Sequence, residues 1–353
     1  MSDVRNKIPA MASDLNVQIH DPTLRDGNHA IRHQLTFEQI RDYCSAMDGI
    51  GLDCVEVGHG NGLGASSLQL GIAPTSDEQM LTAARYALKR TKLGVHVIPG
   101  FASLRDIDVA RDCGVDRVRV ATNCSEADTA NRYIAECKRS GSLSVHGVLM
   151  MSHMLEPLKL ARQAQLLERY GAEAIIIMDS AGHFVDADVR ERIDAVRDLV
   201  SVPVGFHGHN NLGLAVSNSL AAIGAGASII DATTRGFGAG AGNCTLEMLI
   251  AVLFRSNINS GIATTNLLKA IEYVPGIIRP VAPQEVGTTV ASGLYGVFSG
   301  FESPVKRAAA EFNVSSVDIF QILGQRRVLA GQEDVILNVA YELASQTNRQ
   351  GVY

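Results

Sequence analysis

The chain has 353 residues, 31 Lys and Arg against 37 Asp and Glu, a formal net charge of −6 and 46% hydrophobic residues. That composition supports a sizeable core, and a charged share of only 19% excludes a disordered chain. The evenly spread, slightly acidic charge excludes the basic footprint of a nucleic-acid binder and leaves no basic face for a membrane surface.

Residues 1–16 (MSDVRNKIPAMASDLN) are polar and lack an apolar core, so they are expected to form an N-terminal tail and not a signal peptide. Runs of Ile, Val, Leu and Met reach about five residues, far short of the ~20 that span a bilayer. A cytoplasmic location is expected. Cys44, Cys54, Cys113, Cys124, Cys137 and Cys244 form no CxxC pair and sit in apolar patterns, which predicts reduced, mostly packed thiols.

From residue 17 short apolar runs alternate with helical patterns. The runs are Val17–Ile19, Cys54–Val57, Leu93–Ile98, Val118–Ala121, Val145–Met150, Ala174–Met178, Val204–Phe206 and Ile229–Ala232. Between them Phe37–Met47, Asp77–Leu88, Leu158–Tyr170 and Val189–Leu199 show helical spacing. Thr36 with Gln39 and Ser76 with its acidic followers mark helix starts, and Gly51, Gly114 and Gly171 mark ends. Eight such units over residues 17–260 predict a (β/α)8 barrel, with a doubly wound open sheet as the alternative. From residue 261 to 353 the rhythm turns helical, near Val290–Ser299, Pro304–Phe312, Ser316–Arg326 and Glu333–Ala344. Ser303-Pro304 and Ser315-x-x-Asp318 read as helix starts. A small C-terminal helical domain is expected there.

Polar residues gather just after the strands: Arg25, Asp26, Glu56, His59, Asn123, His153, Asp179, Ser180, His207, His209 and Arg235. In a barrel these positions converge on one mouth. His207-Gly208-His209 puts two imidazoles on the same side of a strand, and Asp26 sits on another odd-numbered strand, so the three are candidate divalent-metal ligands. Arg25 is a candidate to hold a carboxylate or a developing oxyanion, with Glu56 to orient it or simply to pair with it. His29 is a candidate general base, whereas His33 reads as a surface histidine. The glycine stretches 58–64 and 236–242 lack the dinucleotide spacing and read as tight turns beside the site, or as anion-binding loops. Cys244 has no base to pair with and makes a poor candidate nucleophile.

Thr23–Gly27, Glu56–Gly60, Gly205–Asn210 and Gly238–Asn243 resemble the 4-hydroxy-2-oxovalerate aldolases, within the metal-dependent barrel lyases that include isopropylmalate synthase and hydroxymethylglutaryl-CoA lyase. The resemblance runs from about Val17 to Asp334, and Arg25–Ala30, Asp179–Gly182 and Gly331–Asp334 point to the aldolases in particular. It implies a class II aldolase that cleaves, or in the reverse direction forms, a 4-hydroxy-2-oxo acid, giving pyruvate or a related 2-oxo acid and an aldehyde through a metal-bound enolate. Asp26, His207 and His209 would hold the metal, usually Mn²⁺, with Co²⁺ or Mg²⁺ as substitutes. Ser180 would hold the substrate carboxylate, Arg25 the enolate oxygen, and His29 would take the C4 hydroxyl proton. The resemblance also implies an acylating acetaldehyde dehydrogenase partner docked on the helical region; homo-oligomerisation is left open. The family's Tyr in a Gly-Val-Tyr-Ser segment is Phe298 here, and Tyr295, one turn earlier, is the candidate replacement at the aldehyde end. A synthase condensing an acyl-CoA with a 2-oxo acid is the alternative activity.

Overall fold

The computed structural model describes residues 16–139, 141–278 and 287–350, so the expected N-terminal tail lies, except for Asn16, outside the described residues. Eight parallel strands close into a barrel in chain order: β1 (Gln18–Leu24), β2 (Cys54–Val57), β3 (Lys92–Val97), β4 (Arg117–Asn123), β5 (Ser144–Met150), β6 (Ala174–Asp179), β7 (Val204–Gly208) and β8 (Ile229–Asp231). Around them run α1 (Phe37–Met47), α2 (Asp77–Ala87), α3 (Leu104–Asp112), α4 (Asn131–Arg139), α5 (Pro157–Tyr170), α6 (Asp186–Arg197), α7 (Ala215–Gly224) and α8 (Leu246–Arg255).

The strands are buried on both faces because helices cover the outside and side chains fill the inside. All six residues of β6 are buried. Outside, α1 turns Ile40, Tyr43, Cys44 and Met47 onto the strands, the stripe expected of an amphipathic helix. Reciprocal capping boxes at Thr36/Gln39 and Ser76/Gln79 start α1 and α2. Gly171 ends α5 at φ 109°, a conformation that glycine adopts without steric cost.

β1 runs past the predicted Val17–Ile19 because its second half is polar: His20, Asp21, Pro22 and Thr23 are all buried, and the register shifts between Asp21 and Leu24. A hydrophobic pattern ends where the strand begins to serve polar partners. The barrel interior is divided accordingly. Val148, Met150, Ile176, Met178 and Ile229 form an apolar cluster, while Glu56, Arg119, Asp231, His20, His96 and Arg117 are buried polar residues in the strands.

Beyond the barrel, α9 (Thr264–Ile277) packs on α1 and α8, and its Leu267 and Val274 join the barrel core. The helices α10 (Gly287–Leu294), α11 (Glu302–Phe312), α12 (Ser316–Gln325) and α13 (Asp334–Gln350) have a core of their own around Val297, Phe301, Val305, Phe320, Leu323 and Val339. The predicted start at Ser303 is corrected. A 3₁₀ turn at Ser299–Phe301 leads straight into α11, so Phe301 holds the cap position and Ser303 lies inside the first turn, where its hydroxyl accepts from Arg307. The start at Ser315 stands, its Oγ accepting from the Asp318 N–H at 3.4 Å. All six cysteines are free thiols, and no helix among the described residues is long and apolar enough to cross a membrane.

Candidate metal and active site

The loop after β1 and the end of β7 bring three donors together. Asp26, His207 and His209 are buried, and each offers one ligand atom within 4.8 Å of the others. His207 Nε2 is 4.0 Å from Asp26 Oδ2. Neither His207 Nε2 nor His209 Nδ1 has a hydrogen-bond partner, although both atoms are buried. Two buried imidazoles beside a buried carboxylate, each keeping a ring nitrogen without a partner, fit a divalent cation, and imidazole with carboxylate suits a first-row metal. The second ring nitrogen of His207 is held too, 2.8 Å from Asp231 Oδ2, the outer carboxylate that orients metal-binding histidines. Burial pushes His209 down to about 4, against the pull of Asp26. For Asp26 burial works against the carboxylate, but Arg25, His209 and His207 outweigh it and hold the carboxyl well below its usual range.

Asp26 is fixed from two further directions. Its Oδ1 accepts from Asn243 Nδ2 at 3.0 Å and from the Ala239 N–H at 3.2 Å, both on the loop after β8. Gly238 lets that loop come so close, since a Cβ there would stand 2.9 Å from Asp26 Oδ1. Its Oδ2 accepts from Arg25 Nη1 at 2.7 Å.

Arg25 is 3% exposed. Its Nε donates to Glu56 and its Nη1 also reaches the Gly60 carbonyl at 3.3 Å, while Nη2 is buried without a partner. That leaves one guanidinium nitrogen free in a buried site. His29 stands nearby on the same loop, partly buried, and burial lowers its pKa against the pull of Asp26. Its ring lies on Gly60, where a Cβ would come within 2.5 Å of Nε2.

The reading of His33 as a surface residue is corrected. It is 6% exposed, its ring stacks on His59 at 3.7 Å and meets His29 edge-on at 4.8 Å, and its Nδ1 accepts from the Gly60 N–H at 3.2 Å. Burial, with His29 and His59 alongside, drives it down to about 2. His59 is also buried and bonds the Gly71 carbonyl.

Ser180 follows β6. Its Oγ accepts from the Met151 N–H at 3.0 Å, which leaves its own hydrogen for a further acceptor. Asp179 shapes this turn by accepting from the His183 and Phe184 N–H groups. The helical region reaches the same place: the Ser299 N–H donates to the Ser180 carbonyl at 3.0 Å and Ser299 Oγ to Asn211 at 2.9 Å. Phe298, half-buried, therefore sits beside the β6 loop with its ring edge-on to Phe301 at 5.6 Å. Tyr295 lines a cavity of about 250 Å³ with His153, His183 and Arg327, a set that includes none of the three metal-ligand candidates. A larger depression, about 490 Å³ at Phe254–Asn259, adjoins the chain entering β1 at the opposite end of the barrel. Cys244 is buried, with its thiol pushed up to about 12 by burial, so it is no nucleophile.

Sequence reasoning missed Arg119 and Asp231, which buttress Glu56 and His207. The signal was a charge inside an otherwise apolar strand: Arg119 in Val118–Ala121 and Asp231 in Ile229–Ala232.

A closed (β/α)8 barrel with this donor set at the C-terminal ends of its strands is the frame of a barrel enzyme with a candidate metal site. The HMGL-like family model matches residues 16–274, and the DmpG-like communication domain matches 285–345. The chain is 51% identical to the 4-hydroxy-2-oxovalerate aldolase of Spirochaeta aurantia, over 94% of this chain and 98% of that one. It is 50% identical to the enzyme of the same name from Pectobacterium atrosepticum, over 92% and 95%. Among solved structures, the carboxyl transferase domain of Rhizobium etli pyruvate carboxylase matches with a TM-score of 0.79 at 16% identity, over 95% of this chain and 61% of that one. That likeness is one of fold. The chain belongs to the HMGL-like family and, within it, to the 4-hydroxy-2-oxovalerate aldolases, which are carbon–carbon lyases.

Proposed function

We propose that this chain cleaves a 4-hydroxy-2-oxo acid to pyruvate and an aldehyde, with Asp26, His207 and His209 holding a divalent metal, Mn²⁺ by preference. The observation that carries the reading is the meeting of those three buried donors beside an arginine whose Nη2 is unpaired. When bound, the metal supplies Lewis-acid stabilisation of negative charge on the substrate's oxygens.

The chain's own groups supply the rest. Ser180 donates its hydroxyl to the substrate carboxylate and Arg25 aims Nη2 at the C2 oxygen, where negative charge develops as the C3–C4 bond breaks. Burial keeps His29 neutral near pH 7, so its ring accepts the C4 hydroxyl proton, directly or through one water. The electron pair of the C3–C4 bond passes into the pyruvate enolate while C4 leaves as the aldehyde carbon. Phe298 lies towards the aldehyde end, and its lost hydroxyl favours an apolar aldehyde portion.

The match to a communication domain, together with the contact of Ser299 on the Ser180 loop, supports docking of an acylating aldehyde dehydrogenase on the helical region within 261–353. The activity is assigned to the cytoplasm. Relatives named as aldolases along nearly their whole length favour this over the acyl-CoA synthase.

The test is retro-aldol turnover, read as pyruvate release, after chelation and metal return. Chelated enzyme should be inactive and Mn²⁺ should restore it, while His207→Ala should lose both bound metal and activity. Full turnover by metal-free enzyme, or tight Mn²⁺ binding by His207→Ala, would refute the assignment.

A further inference from the structure

The inward side chains of a β/α barrel stack in layers drawn from alternate strands, and branched apolar residues normally fill them. In this barrel the even-numbered strands place charges there instead. Glu56 on β2, Arg119 on β4 and Asp231 on β8 are each at most 2% exposed, whereas β6 contributes Ile176. Arg119 stands between the two carboxylates. Its Nη1 lies 3.2 Å from Glu56 Oε2, and its Nη2 donates to Asp231 Oδ2 at 2.6 Å.

Each carboxylate reaches on towards the site. Glu56 Oε1 accepts from Arg25 Nε, and Asp231 Oδ2 lies 2.8 Å from His207 Nδ1. The result is one unbroken chain of contacts, Arg25–Glu56–Arg119–Asp231–His207. A buried ion layer of this kind adds less stability than a well-packed apolar one, so stability alone does not explain its presence.

We propose that Arg119 is a positioning residue that sets two functional groups at once: the Arg25 guanidinium through Glu56, and the His207 imidazole through Asp231. The proposal rests on the reading of Arg25 and His207 given above. Arg119 pairs with Glu56 and Asp231 and not with Asp26, His207 or His209 among the described ion pairs, so its effect is transmitted. Two nitrogens of one planar fork reach two carboxylates from fixed positions; a lysine offers a single nitrogen on a flexible stem and cannot fill both of those positions at once. With Arg119 gone, Glu56 and Asp231 lose their common cation. Arg25 then rests on a Glu56 carboxylate that Arg119 no longer fixes, besides Asp26 and Gly60, and the carboxylate that orients His207 loses its anchor.

The two arms separate in measurement. Mn²⁺ affinity, read from the free Mn²⁺ EPR signal during titration of full-length protein, reports the His207 arm. kcat at saturating Mn²⁺ reports the Arg25 arm. Asp231→Asn should weaken Mn²⁺ binding about 10–100-fold, the usual loss on removing a metal ligand's outer partner, and recover most of its kcat once Mn²⁺ is saturating. Glu56→Gln should lower kcat at saturating Mn²⁺ with KM little changed. Arg119→Met should show both defects in one variant. A residue that only held the fold together would reduce the folded fraction without shifting Kd or the kcat of what remains folded. Where Arg119→Met fails to fold, Arg119→Lys replaces it and must lose at least one of the two properties. Wild-type Mn²⁺ affinity and wild-type kcat in the Arg119 variant, alongside a His207→Ala protein that has lost its metal, overturn the proposal. Wild-type Mn²⁺ affinity in His207→Ala overturns the underlying assignment of the ligands instead.

Discussion

Replacing Arg25 by lysine isolates the free guanidinium donor from the charge. The arginine makes three contacts, from Nε to Glu56 and from Nη1 to Asp26 and to the Gly60 carbonyl, and it keeps Nη2 unpaired. Lysine brings one nitrogen, drawn to the two carboxylates beside it, and nothing then stands at the position of Nη2. The donor aimed at the substrate oxygen is lost. Removing one donor to a developing oxyanion costs about 10²–10³ in kcat, or ~2.7–4 kcal/mol of transition-state stabilisation. Alanine is the less informative change, because stranding two buried carboxylates costs about 3–5 kcal/mol of folding stability. Lysine retains the positive charge, so its melting temperature should stay closer to wild type than alanine's. The assay is pyruvate release at saturating Mn²⁺, coupled to lactate dehydrogenase, with a thermal melt of the same preparation. A lysine variant that turns over at nearly the wild-type rate would refute the role, since a point charge would then suffice.

Glu56 makes an acid-stability prediction: burial opposes its charge, but Arg119 and Arg25 win and bring its carboxyl down to about 2 from the ordinary 4.5 of a glutamate. The stability it contributes, about 3 kcal/mol, is therefore present above pH 4.5 and lost as pH falls towards 2, so Glu56→Gln should flatten that limb in denaturant titrations; an unchanged limb would contradict it. Gly60→Ala should push the His29 ring, whose Nε2 the new Cβ would approach to 2.5 Å, and displacing a base by about 1 Å costs about 10²-fold in kcat. Mn²⁺ affinity should stay unchanged, and unaffected turnover would remove His29 from the mechanism. Phe298→Tyr should shift the preference between C4 enantiomers about two- to tenfold, the scale of one hydrogen bond; identical ratios in both proteins would move attention to Tyr295.

The barrel was legible because its signal repeats. Eight apolar runs separated by amphipathic helices survive an error in any one of them, and even β1, truncated at Ile19 by its own polar half, keeps its place in the order. His207 and His209 were legible for a local reason, since a two-residue spacing on a strand fixes a common side. His33 was misread because exposure depends on long-range packing: a left-handed turn at φ 63° folds its ring onto His59, and nothing within a few residues of it announces that. Arg119 was passed over on different grounds. A period-two pattern cannot tell a barrel's packed interior from its helix-covered exterior, so a charge there carries no address until the strands close.

Closure also explains why the charges can be where they are. Arg119 and Arg25 together face Glu56, Asp231 and Asp26, and each carboxylate meets at least one guanidinium nitrogen within 3.2 Å. The set is one positive charge short, before the histidines are counted. A divalent cation held by Asp26, His207 and His209 would reverse that sign, leaving the mouth of the barrel electropositive towards a bound carboxylate and a developing enolate oxygen. The ion layer below thus has a charge role as well: its two carboxylates keep the paired arginines buried, and a cation held above would direct the balance of charge at the substrate.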